Sequence, residues 1–255
     1  MYAVINYYWR TLVTIACFAG FALSGVVFSV LAFPMLCLVT GERRHAQAKR
    51  LIHHVFSLIV RVLRATGCMR LQTEGVDKLR SAGAVLVLAN HPTYLDVVVL
   101  LSLLPTASCV VKSKHWDNPV FGGILRAAGY IRNSDAEQLV DDCAHALERG
   151  APLIVFPQGT RSNPDAPMKF LRGAAHIALK SGKPIVPVLL QCEPLFLTKG
   201  APWYLAPPQP FQFRVVVRDA LRADALADTQ QAPVIAARRL TSALEGYFSE
   251  ELSVL

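Results

Sequence analysis

Val85-Leu86-Val87-Leu88-Ala89-Asn90-His91-Pro92-Thr93-Tyr94-Leu95-Asp96 reads as a strand, a turn and the start of a helix. Val85 to Ala89 is an unbroken apolar run, the pattern of a buried strand. It stops at Asn90-His91-Pro92, and an apolar pattern with helical spacing follows from Tyr94 to Leu104. His91 therefore falls at a strand-to-helix turn, the place where open α/β sheets carry their chemistry. Asp96 lies five residues further on. On one continuous helix that spacing would set the two side chains about 140° apart, at roughly 100° per residue. They meet only if His91 stands before the helix and the chain bends between them. Pro92 supplies the bend, because proline starts helices readily and keeps the residue before it out of the helical region. A carboxylate behind an imidazole fixes its tautomer and leaves the other ring nitrogen free as a base. Of the seven histidines only His91 has an aspartate five residues later. A loop histidine near a helix-surface aspartate would show the same spacing; the position at a strand end favours the functional pair.

Outward from this unit, strands alternate with helices. Strands are expected at Ala107 to Lys112, Tyr130-Ile131, Pro152 to Phe156, Ile185 to Gln191 and Gln212 to Arg218. Helices are expected at Pro119 to Ala128, Asp135 to Arg149, Phe170 to Ser181 and Ala232 to Leu252. A capping box of Ser134 with Glu137 would open the second of these, and Gly150 would close it. This alternation predicts an α/β fold with a mostly parallel central sheet flanked by helices, spanning residues 71–255.

A second polar loop follows a strand at Phe156-Pro157-Gln158-Gly159-Thr160-Arg161-Ser162. Gly159 lets backbone approach a ligand, Thr160 and Ser162 offer hydroxyls, and Arg161 offers a planar fork suited to phosphate. In a parallel sheet this loop and His91 open on the same edge, so a base and a phosphate clamp would share one crevice. Lys114 and Arg132 also follow strands on that edge. Ordinary solvated charges in a turn-rich loop would look similar.

Toward the N-terminus, no charged residue occurs between Arg10 and Glu42. The run Thr11 to Thr40 exceeds the roughly 20 apolar residues needed to span a bilayer. Residues 1–41 are therefore expected to form a transmembrane helix, with a re-entrant hairpin as the alternative because Gly20, Gly25 and Pro34 interrupt the run. Only Arg10 precedes it, whereas Arg43, Arg44, Lys49 and Arg50 follow, which places the bulk of the chain on the cytoplasmic side of a cell (inner) membrane. Residues 42–70 read as a basic amphipathic helix, with Arg43, Ala46, Arg50, His53, Ser57, Arg61 and Arg64 on one stripe. Leu51, Ile52, Val55, Phe56, Ile59, Val62 and Leu63 fill the other face, and Gly67 is placed to end the helix. Such a helix suits an anionic lipid interface, though a surface helix packed on its own core would share the pattern.

Composition agrees. Of 255 residues 53% are hydrophobic and the net charge is +8; the mean hydropathy is +0.37. A membrane-associated protein with an anionic partner is implied. The six cysteines are scattered without a C-x-x-C pair, which fits reduced thiols and not a zinc site or disulfide framework. No His-Glu-x-x-His occurs, so no metal is expected. The basic residues cluster beside the apolar run without aromatic interleaving, which argues against nucleic acid.

Asn90-His91-Pro92-Thr93-Tyr94-Leu95-Asp96 resembles the His-x-x-x-x-Asp block of the glycerolipid and lysophospholipid acyltransferase family, which contains the 1-acylglycerol-3-phosphate acyltransferases. The Lys112 to Arg132 stretch with Gly122 and Gly129, Phe156 to Ser162, and Ile185-Val186-Pro187-Val188 resemble three further blocks in the same order. The resemblance covers about Leu71 to Arg218 and implies acyl transfer from acyl-CoA or acyl-carrier protein to a lysophospholipid hydroxyl, without a cofactor. It implies that His91 is the general base and Asp96 its orienter. Gly159, Thr160, Arg161 and Ser162 would bind the acceptor phosphate, with Lys114 and Arg132 helping at acidic groups. No Gly-x-Ser-x-Gly elbow supplies a serine nucleophile, in keeping with direct transfer from a thioester. The family's usual glutamate in the third block is Gln158 here. A loop-bracing role survives that change; a role needing negative charge does not, and the acceptor would then be a different lipid, such as an aminolipid, a glycolipid or a polyene-linked one. A non-catalytic membrane scaffold is the reading from another class, and the intact His91 and Asp96 argue against it.

Overall fold

The computed structural model describes residues 2–162, 166–198, 200–228 and 231–255. Among these, seven strands form one sheet: β1 (Met69–Glu74), β2 (Leu86–Ala89), β3 (Ser108–Lys112), β4 (Ile131–Asn133), β5 (Leu153–Val155), β6 (Ile185–Glu193) and β7 (Phe211–Val217). Their order is β1-β7-β6-β2-β5-β3-β4. Every neighbouring pair is parallel except β6 with β7. The mostly parallel α/β sheet read from the sequence is therefore present. β2 lies at its centre and is buried along its whole length, as an uninterrupted apolar strand must be when helices cover both faces.

The helices are α1 (Tyr2–Val27), α2 (Phe33–Cys37), α3 (Gly41–Ala65), α4 (Val76–Ser81), α5 (Leu95–Leu103), α6 (Ser113–Trp116), α7 (Gly122–Ala127), α8 (Ala136–Glu148), α9 (Gly173–Ser181), α10 (Ala223–Leu226) and α11 (Pro233–Ser253). Side chains alternate across the sheet, and two cores result. Val87 and Ala89 pack in one core with residues of α3 and α5. Leu86 and Leu88 pack in the other with residues of α8, α9 and α11.

Several elements differ from expectation. The amphipathic helix ends at Ala65, not Arg70, because Gly67 takes φ +72° and releases the chain into β1. Within its polar stripe, His53 and Ser57 turn inward. His53 Nδ1 bonds the Leu101 carbonyl at 2.9 Å, and the Ser57 hydroxyl donates to the Ser102 carbonyl at 3.4 Å. Both carbonyls belong to the last turn of α5, which has no helical donors of its own. Arg43, Arg50, Arg61 and Arg64 stay exposed. At α8 the cap is Asp135 and not Ser134: its carboxylate accepts from the Glu137 N–H at 2.9 Å. The helix after Pro119 begins late, at Gly122, because the Asn118 side chain accepts from the Val120 and Phe121 amides and holds a turn there.

At the N-terminus Val4–Leu36 is an apolar helical run of 33 residues, long enough by length and composition to cross a bilayer. It passes Gly20 and Gly25 without a turn and contains a π-helical stretch, Phe28–Ala32. That stretch immediately precedes Phe33-Pro34, where proline offers no N–H to the helical ladder. The run is docked along the domain. Trp9 Nε1 donates to the Thr66 carbonyl at 3.1 Å, and Arg10 Nε to Pro207 at 3.1 Å. Phe18 meets Trp203 with ring centroids 5.2 Å apart, and Phe21 stacks on Phe121 at 4.9 Å. At Gly25 a Cβ would sit 2.4 Å from the Phe121 ring, so glycine is what allows this close approach.

Candidate active site

The β2–α5 turn is built by two side chains that do the work of backbone. Ala89 ends the ladder opposite Val188. Asn90 then continues the pairing with its amide: Nδ2 donates to the Leu190 carbonyl at 2.8 Å, and Oδ1 accepts from the Leu190 N–H at 2.7 Å. The β6 edge is thus satisfied while the main chain at His91 turns away. Thr93 caps the entry to α5, its Oγ1 accepting from the Leu95 N–H at 3.1 Å.

Asp96, in the first turn of α5, is fully buried. Its Oδ2 accepts from His91 Nδ1 at 2.6 Å and from the Thr93 N–H at 2.8 Å; Oδ1 accepts from the Thr93 hydroxyl at 2.7 Å. Burial pushes this carboxyl above its ordinary range, and the bonds from His91 and Thr93 pull against that shift. The imidazole also stacks on Phe156 at 4.3 Å between centroids. His91 is fixed through Nδ1 and on one ring face, and Nε2 has no partner among the described residues. An imidazole held in this way can accept a proton at Nε2 and is stabilised as imidazolium by the carboxylate behind it.

β2 and β5 are parallel neighbours, so the two loops leave the sheet side by side, with strands about 4.8 Å apart. Gln158 joins them. Its Oε1 accepts from the His91 N–H at 2.9 Å and from the Ser162 hydroxyl at 3.1 Å, while the Ser162 N–H donates to the His91 carbonyl at 2.7 Å. Both bonds to Gln158 need only an acceptor oxygen, so a neutral amide fills this place as well as a carboxylate would. Gly159 holds φ +65°, and a Cβ there would lie 2.5 Å from Leu171.

The remaining residues singled out in the sequence are placed as follows. Arg161 Nη1 donates to the carbonyls of Leu197 and Thr198, and its guanidinium lies 3.6 Å over the Tyr94 ring. Ser162 is engaged in bridging the loops, and Thr160 is half-buried. Arg132, on the edge strand β4, pairs with Asp117 at 2.7 Å. Lys114 is exposed on α6, just past β3. His91, Asp96, Gln158 and Ser162 thus form one bonded cluster, and Lys114 and Arg132 lie outside it at the ends of more distant strands of the same edge. Asn90, Thr93 and Phe156 carry no role in the sequence reading. Asn90 and Thr93 flank the histidine directly, and their short polar side chains beside a strand end were the available signal.

Residues 70–191 match the family model described as Acyltransferase. A chloroplastic 1-acyl-sn-glycerol-3-phosphate acyltransferase of Arabidopsis thaliana is 27% identical over 171 residues, 65% of this chain and 46% of that protein. The 1-acyl-sn-glycerol-3-phosphate acyltransferase of Saccharomyces cerevisiae is 27% identical over 195 residues, covering 72% of this chain and 60% of the relative. The chain spans about half the length of the first curated relatives that it matches. Among solved structures, the 1-acyl-sn-glycerophosphate (LPA) acyltransferase PlsC from Thermotoga maritima superposes with a TM-score of 0.64 at 17% identity, over 96% of this chain and 97% of that one. Residues 70–191 thus carry the match to the acyltransferase family, and nearly the whole chain shares the fold of the Thermotoga maritima protein.

Proposed function

We propose that this protein transfers a fatty acyl group from acyl-CoA or acyl-carrier protein to the hydroxyl of a lysophospholipid such as 1-acylglycerol-3-phosphate. The observation that carries the reading is the 2.6 Å bond from His91 Nδ1 to buried Asp96, on a turn tied to loop 157–162 through Gln158. His91 Nε2 takes the hydroxyl proton as the oxygen attacks the thioester carbonyl. The tetrahedral adduct collapses, the carbon–sulfur bond breaks, and the leaving thiolate recovers the proton from the imidazolium. The thioester is already activated, so no acyl-enzyme is required. General-base assistance of this kind contributes about 10²- to 10⁴-fold, and positioning supplies more. Arg161 retains donors beyond Nη1 to meet the acceptor phosphate, with Gly159 and Thr160 beside it; Lys114 and Arg132 add positive charge along the edge.

The lipid acceptor is reached from a membrane. The helical run from Val4 to Leu36 measures about 50 Å at 1.5 Å per residue. Its inner face is docked on the domain from Trp9 to Ser29, while Val4, Ile5, Tyr8, Leu12 and Leu23 point outward. A helix held lengthwise favours lying along the apolar layer with that outer face inserted. Exposed Arg43, Arg50, Arg61 and Arg64 then suit the anionic lipids of the cytoplasmic leaflet. The test is purified protein with labelled acyl-CoA and acyl-carrier protein against a panel of lyso-lipids, with products separated by thin-layer chromatography. Label in phosphatidic acid is expected. No transfer to any lysophospholipid with either donor overturns the proposal.

A further inference from the structure

The β6–β7 connection carries an apolar surface that neither core absorbs. Leu195, Trp203, Tyr204 and Leu205 are each close to half exposed. Both ends of this connection are held by defined contacts. Near its start, Arg161 bonds the Leu197 and Thr198 carbonyls and Tyr94 N–H donates to Leu197 at 3.2 Å. Near its end, buried Arg10 of α1 bonds the Pro207 and Pro208 carbonyls. The middle touches the apolar helix: Trp203 packs on Phe18 at 5.2 Å and meets Tyr204 edge-on at 5.7 Å. The connection therefore runs from the apolar helix at Phe18 to the loop beside His91.

We infer that Leu195, Trp203, Tyr204 and Leu205 form a second lipid-seating surface, separate from α1, which sets the mouth of the His91 site against the bilayer. The occupant is the interfacial layer of a phospholipid membrane. Tryptophan and tyrosine have an apolar body and a polar tip and concentrate at that depth. Contact with the apolar run Val4–Leu36, long enough by length and composition to cross a bilayer, argues for lipid over a protein partner. Two exposed side chains at the mouth complete the rim, Tyr94 beneath Arg161 and Leu171 against Gly159. A lipid acceptor in such a layer could reach His91 without leaving for water. That consequence rests on the proposed reaction; the seating surface does not.

The test uses the full chain with Trp9→Phe and Trp116→Phe, leaving Trp203 as the single indole. It is mixed with vesicles of phosphatidylcholine and phosphatidylglycerol, with or without brominated acyl chains. Expected is a blue shift of Trp203 emission on binding and at least twofold quenching by the brominated lipid. In the wild-type background, Leu195→Ser with Leu205→Ser is expected to weaken vesicle partition by about tenfold, as loss of two half-buried leucines implies, with an unchanged rate on a short-chain, monomeric acceptor. Vesicle-bound protein with unquenched Trp203 overturns the inference. So does a blue shift that grows with protein concentration in the absence of lipid, which would mark a protein–protein contact. Quenched Trp203 in a protein that transfers no acyl group upholds the surface and sinks the reaction.

Discussion

Gln158 shows how much a single atom type decides at this site. Its oxygen holds two donors from two different loops, His91 N–H and Ser162 hydroxyl, and neither bond needs a negative charge. Gln158→Glu is therefore expected to fold and bind as the wild type does. Gln158→Leu leaves both donors unpaired and is expected to cost about 1–3 kcal/mol of stability in a denaturant titration. From the sequence, the departure from glutamate left two readings, a loop brace or a charge next to the acceptor; the bonding pattern is that of a brace. The His91–Asp96 pair was legible because proline and a five-residue spacing leave one geometry in which the two can meet. Asn90 and Thr93 were not, since each substitutes for backbone pairing that exists only once β6 and α5 are in place.

Among the elements, α3 shows what periodicity can and cannot say. Its apolar face is readable at helical spacing, but its polar stripe serves two neighbours. The arginines face outward, while His53 and Ser57 cap the end of α5. Lys49 on the same helix donates to the Thr106 carbonyl at 3.1 Å. Burial, reinforced by Arg149 and opposed by Glu42, lowers its ammonium from 10.5 to about 8. Between those values the unfolded chain holds a proton that the folded one has released, so stability rises with pH across the window. Relative to Lys49→Met, which has nothing to titrate there, the wild type is expected to gain stability from pH 8 to pH 10.5 in paired denaturation curves. A flat difference would show that the amine is solvated in the folded state. Long helices and buried strands were read correctly in kind, because hydrophobic period reports burial directly. β1, with an exposed and polar-rich sequence at a sheet edge, and the short helices α4, α6 and α10 carry too few periods to show.

At the scale of the whole molecule, a sheet with two apolar faces is closed off by helices and rests on an apolar helix at its N-terminus. Burial pushes the thiols of Cys109, Cys143 and Cys192 up to about 12. All three are expected to resist N-ethylmaleimide at pH 8 in the native protein and to label on unfolding, as peptide mass spectrometry would show. Composition foretold the apolar N-terminal helix but not its docking, because the contacts of Arg10 and Phe18 lie with residues near position 205, far away in the chain. The architecture brings one imidazole, one buried carboxylate and one polar loop to the same sheet edge, and the proposed reaction depends on that imidazole. The most direct measurement is single-turnover acyl transfer with vesicle-bound His91→Ala, beside wild type and with vesicle binding and circular dichroism as controls. A loss of at least about 10²-fold with fold and binding intact is expected; transfer at the wild-type rate would contradict the account.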